Sequence, residues 1–147
     1  MIIVGCVNRG NITNRELEIK KISKVVDSCI GWFKIKDFEL LFSIVANDSN
    51  YISVHPTNNV IKGYEQFKEN SEIFKNPAFQ YVRHELKDLT INLSQSGDVA
   101  WYYCILDDIN TWEGQPANWE NTRWTGVLEK RDGNWRIVQM HFSFPKN

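Results

Sequence analysis

Hydrophobic periodicity changes once along this 147-residue chain, at Pro77, and that switch limits the architectures open to it. Before Pro77 the apolar residues recur at three- and four-residue steps; after it they alternate. Thr13-Asn14-Arg15-Glu16 has the S/T-x-x-E form of a capping box, so a helix is predicted to begin there. Ile19, Ile22, Val25, Val26, Cys29, Ile30 and Phe33 then form one helical stripe, with Gly31 and Trp32 near its end. Asp37 is placed to cap a short helix burying Phe38, Leu41 and Phe42. Asn47-Asp48-Ser49-Asn50 turns the chain into a short strand over 51–54, which His55-Pro56 ends because proline cannot continue a ladder. A third helix follows Gly63, buries Tyr64, Phe67 and Phe74, and stops at Pro77.

Beyond Pro77 the pattern is that of a sheet. Val82, His84 and Leu86 share one parity while Leu89, Ile91 and Leu93 share the other, which predicts a bulge near Lys87-Asp88. Ser96-Gly97-Asp98 makes a turn, and 99–106 is apolar on both faces, as a covered central strand would be. Residues 107–118, rich in Gly, Pro, Asn and Asp, read as a loop carrying Trp112, and two last strands, about 121–130 and 135–144, flank Arg131-Asp132-Gly133. Helices followed by antiparallel strands make an α+β domain with the helices packed on one face of a curved sheet. Such a sheet closed by helices encloses a pocket. The expected organisation is a flexible segment over 1–12 and a single domain over 13–147.

Composition removes several partners. Seventeen basic and eighteen acidic residues leave a net charge of −1, with no block of either sign. The basic footprint that nucleic acids or anionic membranes attract is missing, so neither is expected as a partner. Cys6, Cys29 and Cys104 are an odd number without C-x-x-C spacing, which predicts free thiols rather than a disulfide framework or a zinc site. His55, His84 and His141 lack short spacing, so neither a metal nor a cofactor is implied. Ile2-Ile3-Val4-Gly5-Cys6 is too short to span a membrane but resembles the end of a bacterial lipoprotein signal. A chain complete as written is expected in the cytoplasm; a start further upstream would anchor it by a lipid on Cys6. Six tryptophans, five of them between Trp101 and Trp135, exceed what one core layer needs. Trp112 and Trp119, in or beside the loop, are expected to form a lid or a dimer contact.

The last hairpin decides the expected site. With Asp132-Gly133 as a two-residue turn, Trp124 lies opposite His141; with a three-residue loop and a G1 bulge, Arg123 does. Glycine in third place favours the second register. That register puts Arg123, Thr125, Val127, Trp135, Ile137, Gln139, His141 and Ser143 on one face. A few polar groups converging on an apolar wall are what small-ligand sites look like. His141 is the leading candidate base and His55 the second; Arg123, Thr125, Gln139, Trp135, Tyr103 and Trp119 are the expected ligand contacts. His84 is expected to be structural.

The run from Arg123-Trp124-Thr125-Gly126 through Arg131-Asp132-Gly133-Asn134-Trp135 to His141-Phe142-Ser143-Phe144-Pro145 resembles the C-terminal hairpin of SnoaL-like domains in the nuclear transport factor 2-like superfamily. It is also similar to the association domain of calcium/calmodulin-dependent kinase II. The resemblance implies a cystatin-like, cone-shaped α+β domain of bacterial type, dimeric across its sheet, with a cavity between helices and sheet. The superfamily includes ketosteroid isomerase, whose Asp-Pro base is matched here by His55-Pro56 and whose helix-borne tyrosine is matched by Cys29. No acidic residue is found to match its second oxyanion-hole group, so steroid isomerisation is not expected. Three functions follow in order. The first is a small-molecule-binding domain anchored by Arg123 and His141. The second is an isomerase, cyclase or hydrolase acting on a small aromatic or carboxylated substrate through a histidine base. The third is a dimeric assembly module.

Overall fold

The computed structural model describes residues 9–146, with side chains from Asn14 onward. Helix α1 (Arg9–Gly31) is followed by a 3-10 turn (Trp32–Lys34), α2 (Phe38–Ile44), the short strands β1 (Ile52–Val54) and β2 (Val60–Lys62), and α3 (Tyr64–Ser71), which runs into a second 3-10 turn (Glu72–Lys75). The rest is sheet: β3 (Phe79–Leu93), β4 (Val99–Trp112), β5 (Gln115–Pro116), β6 (Trp119–Arg131) and β7 (Asn134–Ser143). The seven strands form one strongly curved sheet in the order β2-β1-β7-β6-β4-β3, with β5 paired to β4. Among the described strands β1 and β7 pair in parallel, extended by a parallel bridge from Val45 to Ile137, and the other pairings are antiparallel.

Local chemistry accounts for the helical third. Asp37 caps α2 by accepting from the Leu40 amide at 2.9 Å, as its position predicts. The α1 stripe packs on the concave face of the sheet, with Ile22 and Val26 fully buried and Cys29 nearly so. The capping box does not start α1. The helix already runs from Arg9, so Thr13 lies inside it, because a capping sequence permits a start without forcing one and no proline stops the helix upstream. Ile2 to Cys6 lies outside the described residues. Among the described residues no helix is long and apolar enough to cross a membrane.

In β3 the predicted bulge is present, with a register shift between Lys87 and Thr90 and Asp88 at φ 54°. A second shift, between Tyr81 and Arg83, leaves Val82 exposed and puts Tyr81 and His84 on the core side together. Strand β4 is six residues longer than its apolar run. The 107–112 stretch pairs with β3 and turns through Glu113-Gly114 into β5, so its polar composition does not make it a loop. Ladder pairing on both sides of β4 outweighs local turn preference here.

The last hairpin departs from both expected registers. Asp132 and Gly133, at φ 51° and 79°, form a two-residue turn between Arg131 and Asn134. Val138 is then an extra residue in β7, between the pairs Leu128–Ile137 and Val127–Gln139. His141 consequently faces Thr125 across the ladder. Trp135 and Ile137 before the bulge and Met140 and Phe142 after it all point into the core, beside Trp124 and Leu128 of β6. Gly126 completes that inner row: a Cβ there would lie 2.5 Å from the Tyr102 hydroxyl, so only glycine lets this ring lie across β6.

Candidate functional site

Between the concave sheet and the helices lies a cavity of about 520 Å³. The end of α1 contributes Cys29 and Ile30, the first 3-10 turn Trp32 and Phe33, and β7 Met140 and Phe142. Aromatic edges dominate one end: the Phe33 ring lies 4.9 Å from both Phe74 and Phe79, and Trp32 lies 5.3 Å from Phe74. Cys29 Sγ and Met140 Sδ meet at 4.0 Å. Burial pushes the thiols of Cys29 and Cys104 up to about 12, so both are protonated and chemically quiet.

The polar lining comes from two parts of the fold: Asn59, Glu69, Asn70 and Ser71 from the β1–β2 turn and α3, and Asp108 and Asn110 from β4 with His55 after β1. On β4 the inward parity that begins with Tyr102, Cys104 and Leu106 continues into Asp108 and Asn110. Asn110 donates from Nδ2 to Asp108 Oδ1 at 2.9 Å, and its backbone amide donates to Asn118 Oδ1 at 3.1 Å. The amide thus holds the carboxyl from behind. Burial raises the Asp108 pKa above the usual carboxylate range, with the Asn110 hydrogen bond and nearby His84 pulling the other way. Asp108 sits opposite Trp119 in the β4–β6 ladder. His55 reaches the same corner from the end of β1, its ring 5.6 Å from Trp119 and 5.8 Å from Phe142, both edge-on. Burial lowers the His55 pKa, so its imidazole is neutral near pH 7.

Behind Asp108, on β3, His84 is its ladder partner. Tyr81 Oη accepts from the His84 backbone amide at 3.1 Å, which leaves its proton for His84 Nδ1 at 2.9 Å. His84 Nε2 then faces Asp27 Oδ1 at 3.0 Å. Gly31 makes room for this ring, since a Cβ there would lie 3.1 Å from His84 Cε1. His84 is thereby tied to α1 and does not line the cavity.

Of the residues expected at the site, His55 and Trp119 line the cavity and the others do not. Arg123, Thr125, Gln139 and His141 share a face as expected, but the Val138 bulge makes it the outer face of the sheet. Arg123 donates there to the Phe144 carbonyl at 3.0 Å and clamps nothing inside. Tyr103 points outward as well, 40% exposed, beside Trp101 at 47%. Trp135 is buried, yet on the inner face and away from the cavity, donating from Nε1 to Glu18 Oε2 at 2.7 Å. Trp119 is wall rather than lid, and Trp112 packs on Phe79 at 5.8 Å. The groups missed in the sequence are Asp108 and Asn110, and Asp108 supplies the interior carboxylic acid that was not expected. The alternation of Cys104, Leu106, Asp108 and Asn110 was the available signal. Among the described residues no three His, Cys, Asp or Glu side chains gather to hold a metal ion.

Three solved structures show how widely this frame recurs. A protein from Streptomyces avermitilis, provisionally named a dehydratase of the nuclear transport factor 2-like family, superposes with a TM-score of 0.76 at 17% identity, covering 90% of this chain and 99% of its own. A provisionally named scytalone dehydratase from Novosphingobium aromaticivorans gives 0.73 at 14% identity, over 88% and 86%. The association domain of calcium/calmodulin-dependent kinase II from C. elegans gives 0.67 at 16% identity, over 89% and 98%. Identities this low speak for the fold alone. No curated protein sequence matches the chain. The model of the SnoaL-like domain matches residues 22–147, which takes in the α1 stripe, the cavity and the whole sheet, and the chain therefore belongs to the SnoaL-like family within the nuclear transport factor 2-like fold.

Proposed function

We propose that this protein holds a small, largely apolar molecule in the concave cavity, oriented by Asp108 and His55. The observation that carries the reading is the cavity itself: about 520 Å³ lined mainly by aromatic and aliphatic side chains, with Asp108, Asn110 and His55 among its polar groups. A hollow of this size and lining is what small-ligand sites look like. A carboxylated ligand loses its support, because Arg123 lies on the outer face and no lysine or arginine is among the residues lining the cavity. Ala117 lines the cavity and offers a direct test. Ala117→Trp is expected to abolish uptake of 2-naphthylmethanol, followed by calorimetry, while the far-ultraviolet circular dichroism is unchanged. Equal binding by the blocked variant would contradict the reading.

An acid–base enzyme is the second reading, favoured by two groups in one cavity whose pKa values are displaced in opposite directions, Asp108 upward and His55 downward. Such a pair can share acid and base roles near neutral pH. The provisional dehydratase names of two structural neighbours agree with it. A second protomer is proposed on the outer sheet face, where Trp101 pairs with Val127 and Tyr103 with Thr125 to expose a continuous aromatic and aliphatic strip. The likeness to an association domain supports that arrangement.

A further inference from the structure

The charge pattern of the cavity is one-sided. Among the described residues its lining includes two carboxylates, Asp108 inside and Glu69 at the exposed rim, and no lysine or arginine. Six aromatic residues, Trp32, Phe33, Phe74, Phe79, Trp119 and Phe142, make much of the remaining wall, and an aromatic ring presents a negative π-face to a group that approaches that face. His55 adds no positive charge while its imidazole stays neutral. One oxygen of Asp108, Oδ1, is engaged by Asn110, whereas Oδ2 has no hydrogen-bond partner among the described residues. A carboxyl with one oxygen unengaged, aromatic faces and the absence of lysine and arginine from the lining favour positive charge over negative.

We propose that the ligand is an organic cation, a protonated amine on an apolar or aromatic skeleton, whose ammonium group pairs with Asp108 while the skeleton packs on the aromatic wall. This rests on the reading of the cavity as a small-molecule site and goes beyond it by naming the ligand's charge. Carboxylate plus aromatic faces is the chemistry that holds ammonium groups out of water, through a charge-assisted hydrogen bond and cation–π attraction. A neutral ligand of the same shape would gain the packing but not the ion pair. An anion would meet a carboxyl with no counter-charge.

Binding a cation requires Asp108 to ionise. The groups around it are Asn110 on its own strand, Trp119 from β6, His55 after β1 across the Trp119 ring, and from β3 His84, held by Asp27 of α1 and by Tyr81. Burial raises the Asp108 pKa and so opposes its ionisation in the empty cavity, while an ammonium group beside it favours the carboxylate. Amine affinity therefore weakens as falling pH protonates Asp108.

Three shape-matched probes test this by calorimetry: 2-naphthylmethylamine, 2-naphthylmethanol and 2-naphthoate. The amine is expected to bind at least about tenfold tighter than the alcohol, with the naphthoate weakest. Asp108→Asn should bring the amine to within about twofold of the alcohol measured on the same variant. In the wild-type protein the amine's affinity should fall as the pH is lowered into the carboxylate range, and by more than it does in Asp108→Asn. Alcohol binding as tightly as the amine, an amine preference surviving in Asp108→Asn, or an amine affinity with the same pH dependence in both proteins would each overturn the assignment. If the alcohol binds and the amine gains nothing, only the cation fails. If none of the three binds, the small-molecule reading fails with it.

Discussion

Glu18 is a buried acid and Asp108 a half-buried one, and their surroundings drive them in opposite directions. Glu18 receives Lys21 at 2.8 Å, Lys130 at 2.9 Å and the Trp135 indole at 2.7 Å, and these partners, led by Lys21, hold its pKa down at about 2. A depressed carboxyl stabilises the fold above its unfolded pKa and loses that contribution as pH falls through the folded one. Stability should therefore decline between about pH 4.5 and 2, and Glu18→Gln should flatten that decline while costing about 2 kcal/mol at neutral pH, read by urea unfolding. Asp108 behaves inversely. Its raised pKa means the protonated form suits the fold, so its contribution is complete below the unfolded pKa and fades as pH rises. Asp108→Asn is expected to raise the melting temperature at about pH 8 and leave it unchanged at about pH 4. A stabilising loss of this kind is what a functional group in an apolar hollow produces.

The elements show why sequence revealed the fold more readily than the site. The β3 bulge was legible because apolar residues change parity across Lys87-Asp88, and the structure shows a register shift there. The same clue stood in β7, where Trp135 and Ile137 are odd-numbered and Met140 and Phe142 even-numbered. Turn chemistry at Arg131-Asp132-Gly133 drew attention to the wrong end of the hairpin, and a bulge five residues downstream of Gly133 decided the faces. In β4, Asp107 and Asp108 look like loop residues. Their side chains part instead, Asp107 outward to Lys87 at 2.7 Å and Asp108 inward. Deleting Val138, the unpaired residue, would leave an uninterrupted ladder with the same pairs and the same faces, Met140 and Phe142 inward and Gln139 and His141 outward. That deletion is expected to keep thermal unfolding cooperative, whereas loss of the cooperative transition would show that the fold depends on the bulge itself.

At the scale of the molecule, the two faces of one sheet divide the work. The concave face and the helices enclose the cavity; the outer face carries Trp101 and Tyr103 where a second protomer would pack. Trp101→Lys is expected to shift the protein from dimer to monomer in sedimentation velocity, and wild-type protein that is already monomeric would remove the dimer from the account. The tryptophans sort themselves along this division, with Trp32 and Trp119 in the cavity wall, Trp124 in the core and Trp101 outside. They are also reporters of where a ligand sits. Indole N–H resonances followed by two-dimensional NMR during titration with 2-naphthylmethylamine test the central claim most directly. Trp32 and Trp119 are predicted to shift together and saturably while Trp101 stays still, and a response confined to Trp101 would place the binding surface on the outer sheet and contradict the account.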